Sequence, residues 1–142
     1  MRVLVDTNVV LDVLLGRQPF AEAAAQVLAL VEKSRIEGFL CATTITTIDY
    51  LLGQALTPAK AREALQRLLC LFEIAPVNRS VIEQAMRSGI SDFEYAVLEQ
   101  AGRLVDVDAI TTRHVKNFVN ASVTVFDPPE LISTVIARES HD

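Results

Sequence analysis

The chain of 142 residues has no tryptophan, only two cysteines and few aromatic residues, which make up 6% of the sequence. Two cysteines and two histidines at unrelated spacings do not form the ligand pattern of a structural zinc site. Cys41 and Cys70 each lie in an apolar stretch, which predicts buried, reduced thiols rather than a disulfide framework. With aromatic residues scarce, the abundant Ala, Val, Leu and Ile favour helices packed on a sheet.

Long apolar runs and an excess of positive charge are also absent. No run approaches the length of a membrane span and the N-terminus lacks a signal-peptide pattern, so we expect a cytoplasmic protein without membrane association. The net charge of −5 argues against a broad basic surface for nucleic acid, but it allows a local basic rim around an acidic pocket. Hydrophobic residues make up 51% of the chain, enough for one domain, predicted at 1–137 with a frayed tail at 138–142.

Strand and helix patterns alternate along the chain, and Gly and Pro mark many of their ends. Short β-branched or apolar runs predict five strands, at residues 3–6, 39–42, 71–75, 105–111 and 123–125. Helical spacing of apolar residues predicts helices at 9–14, 19–37, 43–56, 58–69, 78–88, 91–103 and 128–137. This alternation implies parallel strands with helices on both faces, an open α/β sandwich.

Acidic residues follow several of the predicted strands. Asp6 ends the first strand, where an open parallel sheet has its ligand-binding crevice. Asp49 lies in the helix after the second strand, and Asp92 lies in the first turn of the helix near residue 91. Carboxylates at one sheet edge repel one another unless a cation neutralises them, and Mg²⁺ or Mn²⁺ prefers oxygen ligands. Such a cation can activate water for attack on a phosphodiester.

Four segments resemble the PIN domain family, in order and spacing and over essentially the whole chain. They are Asp6-Thr7-Asn8 with Asp12, the Thr-rich segment ending in Asp49-Tyr50, residues 91–96 (SDFEYA) and residues 110–118 (ITTRHVKNF). The pattern is most similar to the compact ribonuclease toxins of bacterial toxin–antitoxin pairs. The resemblance implies a three-layer α/β/α fold around a mainly parallel, five-stranded sheet, a Mg²⁺ or Mn²⁺ site of clustered acids, and endoribonuclease activity on RNA. Toxin members imply an antitoxin partner and a homodimer.

The first two acids of the family pattern have counterparts here. Asp6 matches the first acid, and the adjacent Asn8 is a polar group that orients Asp6 or a water molecule. Asp49 stands where the family usually has Glu, so we expect it to bind a metal through water. Asp12 either lies on a solvated helix face or, as we favour, holds Asn8 from one helical turn away.

The later part of the pattern departs from the family. The third acid normally stands directly before Ala96, and here that residue is Tyr95. Asp92 lies one helical turn earlier on the same face and is the candidate replacement. The fourth polar position appears as His114 and Asn117. The resemblance thus implies Asp6, Asp49, Asp92 and Asn8 as catalytic residues, the three aspartates being the metal ligands, in a pocket with fewer negative charges than the family pattern.

Each acid also has a structural explanation, and both explanations stay open. Asp6 is a good N-cap for the helix that follows, and Asp49 fits an exposed surface. Ser91 and Glu94 have capping-box spacing, which puts Asp92 where a helix dipole favours a carboxylate. We assign Glu94 to capping.

Three residues after the fourth strand are candidate RNA contacts. Arg113 and Lys116 leave the sheet at the functional edge and can meet RNA phosphates, although a solvated surface position is the simpler alternative. His114 can act on a leaving group or be a hydrogen-bonded structural residue. The predicted function is a Mg²⁺- or Mn²⁺-dependent endoribonuclease. The alternative is a module with an impaired metal site that binds RNA or a protein.

Overall fold

A computed structural model of the chain describes residues 1–141 and contains one sheet of five parallel strands. The strands are β1 (Arg2–Val5), β2 (Glu37–Cys41), β3 (Glu73–Ala75), β4 (Ala109–Thr111) and β5 (Thr124–Phe126). Their order across the sheet is β3-β2-β1-β4-β5, with Leu4 of the central strand paired with Phe39 on one side and Ile110 on the other. The chain therefore reverses its direction of winding at β1, between β2 and β4.

The helices follow the strands in the predicted alternation. They are α1 (Thr7–Leu14), α2 (Ala21–Glu32), α3 (Ala42–Ala55), α4 (Pro58–Leu71), α5 (Arg79–Met86), α6 (Phe93–Leu104) and α7 (Pro128–Glu139), with a short 3-10 helix at Val115–Phe118. Several begin at side-chain caps predictable from the sequence. Thr57 caps α4 ahead of Pro58, Asn78 caps α5, and Asp127 forms a capping box with Glu130 at the start of α7.

The sheet has a buried core on each face, because successive side chains of a strand point to opposite sides. Val3 and Val5 pack with α1, α2, α3, α4 and α7, whereas Leu4 packs with α5 and α6. All three side chains are fully buried. The predicted α/β sandwich is confirmed, with the three layers that the family resemblance implies.

The boundaries differ from the predicted ones where local contacts override the apolar pattern. The strand predicted at 105–111 begins only at Ala109, because Val105 caps α6 and Val107 N–H binds the Gly102 carbonyl at 3.0 Å. Cys41 is buried as expected, but the prediction for Cys70 is wrong: it lies on the exposed face of α4. Helix α7 continues to Glu139, two residues beyond its predicted end, and Asp142 of the predicted tail lies outside the described residues.

The two ends of the sheet are chemically different. At the amino end, the Arg2 backbone N–H donates to the Asp108 carboxylate at 2.7 Å, so Asp108 lies away from the carboxyl ends of the strands. At the carboxyl end, Asp6 directly follows β1 and Thr112 directly follows β4. Within residues 1–141 no helix is both long enough and apolar enough to cross a membrane.

Candidate active site

Asp6 is held at the carboxyl edge of the sheet by hydrogen bonds from both neighbouring segments. Its backbone N–H continues the sheet by donating to Thr111 O at 3.0 Å. Its Oδ1 accepts the Thr7 N–H at 2.7 Å, as expected of an N-cap, while Oδ2 accepts the Thr112 hydroxyl at 2.8 Å and the Asn8 amide at 3.1 Å. The capping role and the placement at the crevice are thus both true. Asn8 orients Asp6, as predicted.

The Asp6 carboxyl group is buried, with 4% of its surface exposed. Burial raises the pKa of Asp6 above its usual value, and the hydrogen bonds from Thr112 and Thr7 only partly offset this effect. Glu94 raises the pKa further and His114 lowers it. The ionised form of Asp6 is therefore poorly stabilised by the protein alone, and a nearby cation would stabilise it.

Asp6 lines an open pocket of about 230 Å³ at the predicted crevice. The pocket is lined by Asp6, Thr7, Asn8, Leu11, Arg17, Glu94, Tyr95, Arg113 and His114. The pocket thus brings together four predicted site residues, namely Asp6, Asn8, Arg113 and His114. It also contains Tyr95, which stands where the family pattern has its third acid. Arg17 and Glu94 are the charged residues that the sequence did not place here.

The acid that faces Asp6 from α6 is Glu94, whereas Asp92 forms the N-terminus of that helix. The Oδ1 atom of Asp92 accepts the Glu94 N–H at 2.9 Å, so Asp92 is the N-cap and Phe93 is the first helical residue. The predicted cap at Ser91, with Glu94 as the other half of its capping box, is wrong. The signal was present, because Asp is a strong N-cap residue and moving the helix start by one position frees Glu94 for the pocket.

Tyr95 occupies the position of the third family acid and is fixed by aromatic packing. Its ring meets Phe118 edge to face, with centroids 4.9 Å apart and planes at 71°. Burial raises the pKa of the Tyr95 hydroxyl, a hydrogen bond with Asn117 lowers it, and the charges of Asp6, Glu94 and Asp92 raise it. The hydroxyl therefore stays neutral in an acidic surrounding, and this position contributes no carboxylate to the pocket.

Two further candidate residues lie outside the lining of this pocket. Asp49 in α3 pairs with Arg62 of α4, its Oδ1 lying 2.9 Å from the Arg62 Nε. Lys116 is exposed on the 3-10 helix that follows the pocket segment. The structure therefore does not bring Asp49 and Asp92 to Asp6 in the way a three-aspartate site requires, and their roles as ligands stay predictions.

Asp12 pairs with arginines, and the prediction that it holds Asn8 is wrong. Arg113 donates two hydrogen bonds to the Asp12 carboxylate, at 2.7 and 3.1 Å, and the Arg17 Nε lies 3.0 Å from the Asp12 Oδ1. The Asn8 amide oxygen instead accepts the Arg113 backbone N–H at 3.2 Å. The guanidinium of Arg113 also stacks on Phe20, 4.1 Å from the ring centroid. Arg113 is therefore a fixed part of the pocket wall, in addition to its predicted position beside RNA.

The donors in the pocket fit one type of divalent-cation site. Within the described chain, no group of three or more His, Cys, Asp or Glu side chains is arranged to hold a metal. Mg²⁺, however, is often bound through one or two carboxylates while water and substrate phosphates fill its other positions. Asp6 and Glu94 supply two carboxylates. From the part of the chain that the structure describes, the Oδ1 of Asp6 accepts only the Thr7 N–H, which leaves it a lone pair for a cation.

Comparison with known proteins agrees with this geometry. The model of the PIN domain family matches residues 2–116. The chain belongs to the PIN domain family. A comparison with curated protein sequences gives no match.

Solved structures share the PIN fold at low sequence identity. A chain of the VapBC2 complex from Rickettsia felis, bound to a DNA fragment from its promoter, is 10% identical, with a TM-score of 0.69 over 89% of this chain and 98% of that one. A chain of FitAcB from Neisseria gonorrhoeae is 22% identical, with a TM-score of 0.67 over 89% and 97% of the two chains. A chain of a toxin–antitoxin complex from Klebsiella pneumoniae is 21% identical, with a TM-score of 0.68 over 89% and 97%. At these identities the likeness shows the fold alone.

Proposed function

We propose that this PIN domain is a Mg²⁺- or Mn²⁺-dependent endoribonuclease that hydrolyses RNA phosphodiester bonds at the Asp6 pocket. The observation that carries the proposal is the environment of the Asp6 carboxylate. Its carboxylate is buried at the switch point of the sheet, oriented by three hydrogen bonds, and faces a second acid with no cationic side chain bonded to it among the described residues. Burial raises the pKa of this carboxyl group although three hydrogen bonds orient it, so its ionised form is costly in the folded chain, which points to a functional reason for an acid at this position.

The protein's part in the reaction is to hold charge and orientation around the pocket. Asn8 and Thr112 fix the direction of the Asp6 carboxylate, and Glu94 adds a second negative charge across the opening. These two acids would hold the cation, which when bound supplies neutralisation of the phosphate and a water molecule of lowered pKa. Arg113 and His114 border the same opening, and Lys116 lies beyond it, so RNA phosphates can meet all three.

The proposal extends to the toxin of a toxin–antitoxin pair. The similar chains from Rickettsia felis and Klebsiella pneumoniae were solved in complexes named as VapBC2 and as toxin–antitoxin. Their folds cover nearly all of this chain, which supports an antitoxin protein as a partner. The homodimer implied by the family resemblance is part of the same proposal.

One observation favours a second candidate, a PIN module that binds RNA or a protein with an impaired metal site. Tyr95 packs on Phe118 where the third family acid would stand, and Asp49 is paired with Arg62 outside the pocket. The pocket then has fewer carboxylates than the family pattern, and its affinity for a cation is correspondingly lower.

Cleavage of RNA separates the two candidates. Single-stranded RNA labelled at one end is incubated with the wild-type chain and Mn²⁺, and with the Asp6→Asn variant. We expect cleavage by the wild type and its loss in Asp6→Asn. Asp108→Asn is the matched control, because it removes a carboxylate from the opposite edge of the sheet and should leave cleavage intact. Cleavage preserved in Asp6→Asn would refute Asp6 as the functional acid, and no cleavage by any protein would favour the binding module.

A further inference from the structure

One buried carboxylate is shared by two arginines at the rim of the pocket. Asp12 in α1 is 1% exposed. Arg113 binds it through two hydrogen bonds, and the Arg17 guanidinium lies against the same carboxylate. One negative charge thus faces two positive charges, so the cluster carries a net positive charge beside an otherwise acidic pocket.

The two arginines differ in how far their donors are already used. Arg113 makes two hydrogen bonds to Asp12, stacks on Phe20 and has a side chain that is 21% exposed. The Arg17 side chain is 40% exposed, but its Nε is buried and donates no hydrogen bond within residues 1–141, although it lies 3.0 Å from the Asp12 carboxylate. Its contact with Asp12 is an ion pair without hydrogen-bond geometry. A guanidinium has five N–H donors in a fixed fork, so Arg17 keeps donors for another acceptor.

The backbone holds Arg17 in this position. Helix α1 ends at Leu14, and Gly16 turns the chain back with a φ of +61°, a conformation that glycine adopts without strain. The Arg17 N–H then donates to Asp12 O at 3.0 Å, and the Arg17 carbonyl accepts the N–H groups of Phe20 and Ala21 at 3.0 and 2.8 Å. The guanidinium is therefore presented from a fixed backbone into the pocket that contains Asp6.

We propose that Arg17 binds a backbone phosphate of single-stranded RNA, next to the phosphodiester held at Asp6, while the ion pair with Asp12 holds the guanidinium in place. This inference rests on the proposed function for the identity of the ligand. The planar guanidinium matches two phosphate oxygens at once, and the exposed part of Arg17 can bind that ligand while its buried Nε stays beside Asp12. Arg17 is a phosphate-binding residue in addition to the three RNA contacts expected after β4.

The test is binding without cleavage. A fluorescent 2′-O-methyl oligoribonucleotide is titrated in EDTA against the wild type, Arg17→Gln and the control Arg79→Gln, and the salt dependence of each affinity is measured. Arg79 has a side chain that is 92% exposed and, among residues 1–141, pairs only with Glu83 in α5, so its variant makes the same charge change elsewhere. We expect Arg17→Gln to weaken binding about ten-fold and to lower the salt slope by about 0.7, the value for one phosphate contact on a single strand. Arg79→Gln should change neither.

Two further arms keep the test decisive. Arg17→Lys retains the positive charge and should therefore keep the wild-type salt slope. It is the variant to measure if Arg17→Gln does not fold. A DNA oligonucleotide of the same sequence should lose affinity by the same factor in Arg17→Gln, since the contact is to phosphate. Equal affinities of Arg17→Gln and Arg79→Gln, or a loss confined to RNA, would overturn the inference. Arg17-dependent binding without Asp6-dependent cleavage would leave this site standing and overturn the nuclease function alone.

Discussion

The Thr112 hydroxyl donates a hydrogen bond of 2.8 Å to the Asp6 carboxylate, joining the ends of two adjacent strands that lie 106 residues apart in sequence. The same threonine oxygen accepts the His114 N–H at 3.0 Å, which turns the following segment towards the pocket. The position of Asp6 is thus set by the pairing of β1 with β4, and the pocket exists only in the folded sheet.

The first prediction concerns the pH dependence of stability. Because burial raises the pKa of Asp6, the folded state holds this proton more tightly than the unfolded chain does, where the pKa is near 3.8. The stability that Asp6 contributes is fully present below that pH and is lost as pH rises through the raised pKa. Asp6→Asn removes this dependence. In urea unfolding, the free energy of unfolding of Asp6→Asn relative to wild type should increase as the pH rises above 3.8, and a difference that stays constant with pH would contradict this role of Asp6.

The second prediction concerns Tyr95. Tyr95→Asp restores a carboxylate at the third family position, so it should raise the affinity for Mn²⁺ measured by calorimetry. It should also lower the free energy of unfolding by about 1–2 kcal/mol, because the edge-to-face contact with Phe118 is lost. Tyr95→Phe keeps the ring without adding an acid and should leave the metal affinity unchanged. An affinity that is the same in wild type and Tyr95→Asp would show that Tyr95 does not limit metal binding.

The third prediction decides which acid of α6 serves the pocket. Glu94 lines the pocket, whereas Asp92 caps the helix. Glu94→Gln should therefore weaken Mn²⁺ binding by about ten-fold, or 1.4 kcal/mol. Asp92→Asn removes the same charge but keeps a capping side chain, so it should change the affinity much less. The opposite ranking in a thermal-shift or calorimetric titration would return the ligand role to Asp92.

The fourth prediction concerns the Asp12 cluster. Asp12→Asn leaves two guanidinium groups around a neutral amide, and breaking a buried ion pair costs about 3–5 kcal/mol. Both arginines are partly exposed to solvent, so we expect a smaller loss in free energy of unfolding, about 2–3 kcal/mol after solvent screening. Glu83→Gln breaks the exposed pair with Arg79 and should cost at most about 0.5 kcal/mol. Equal losses in the two variants would mean that Asp12 does not hold the pocket wall.

The fold was predictable because its signals are local. Gly16, Pro58 and Asn78 mark helix ends by mechanisms that act within a few residues, and the alternation of strands and helices leaves few topologies. The 3-10 helix at Val115–Phe118 carries no comparable pattern. Cys70 was misassigned because an apolar stretch of sequence does not determine which face of α4 is exposed.

The site was predictable only just after β1 and β4. Asp6 and Asn8 follow β1, and Arg113 and His114 follow β4, so their location at this edge follows from the strands themselves. The presence of Glu94 in the pocket depends on a helix start one residue away from the predicted one. The orientation of the Arg113 side chain depends on its partner Asp12, which lies 101 residues away in sequence. The partner of Asp49 depends on how α3 packs against α4, because that packing pairs it with Arg62. Such tertiary pairings leave no periodic trace in a single sequence.

The central claim is that the Asp6 pocket binds a divalent cation for RNA hydrolysis. Calorimetric titration of Mn²⁺ into the wild-type chain and the Asp6→Asn variant at neutral pH tests it most directly. We expect wild-type binding with a dissociation constant on the order of 1 mM or tighter, and no detectable binding by Asp6→Asn. Absence of wild-type binding at millimolar Mn²⁺, or equal binding by both proteins, would contradict it.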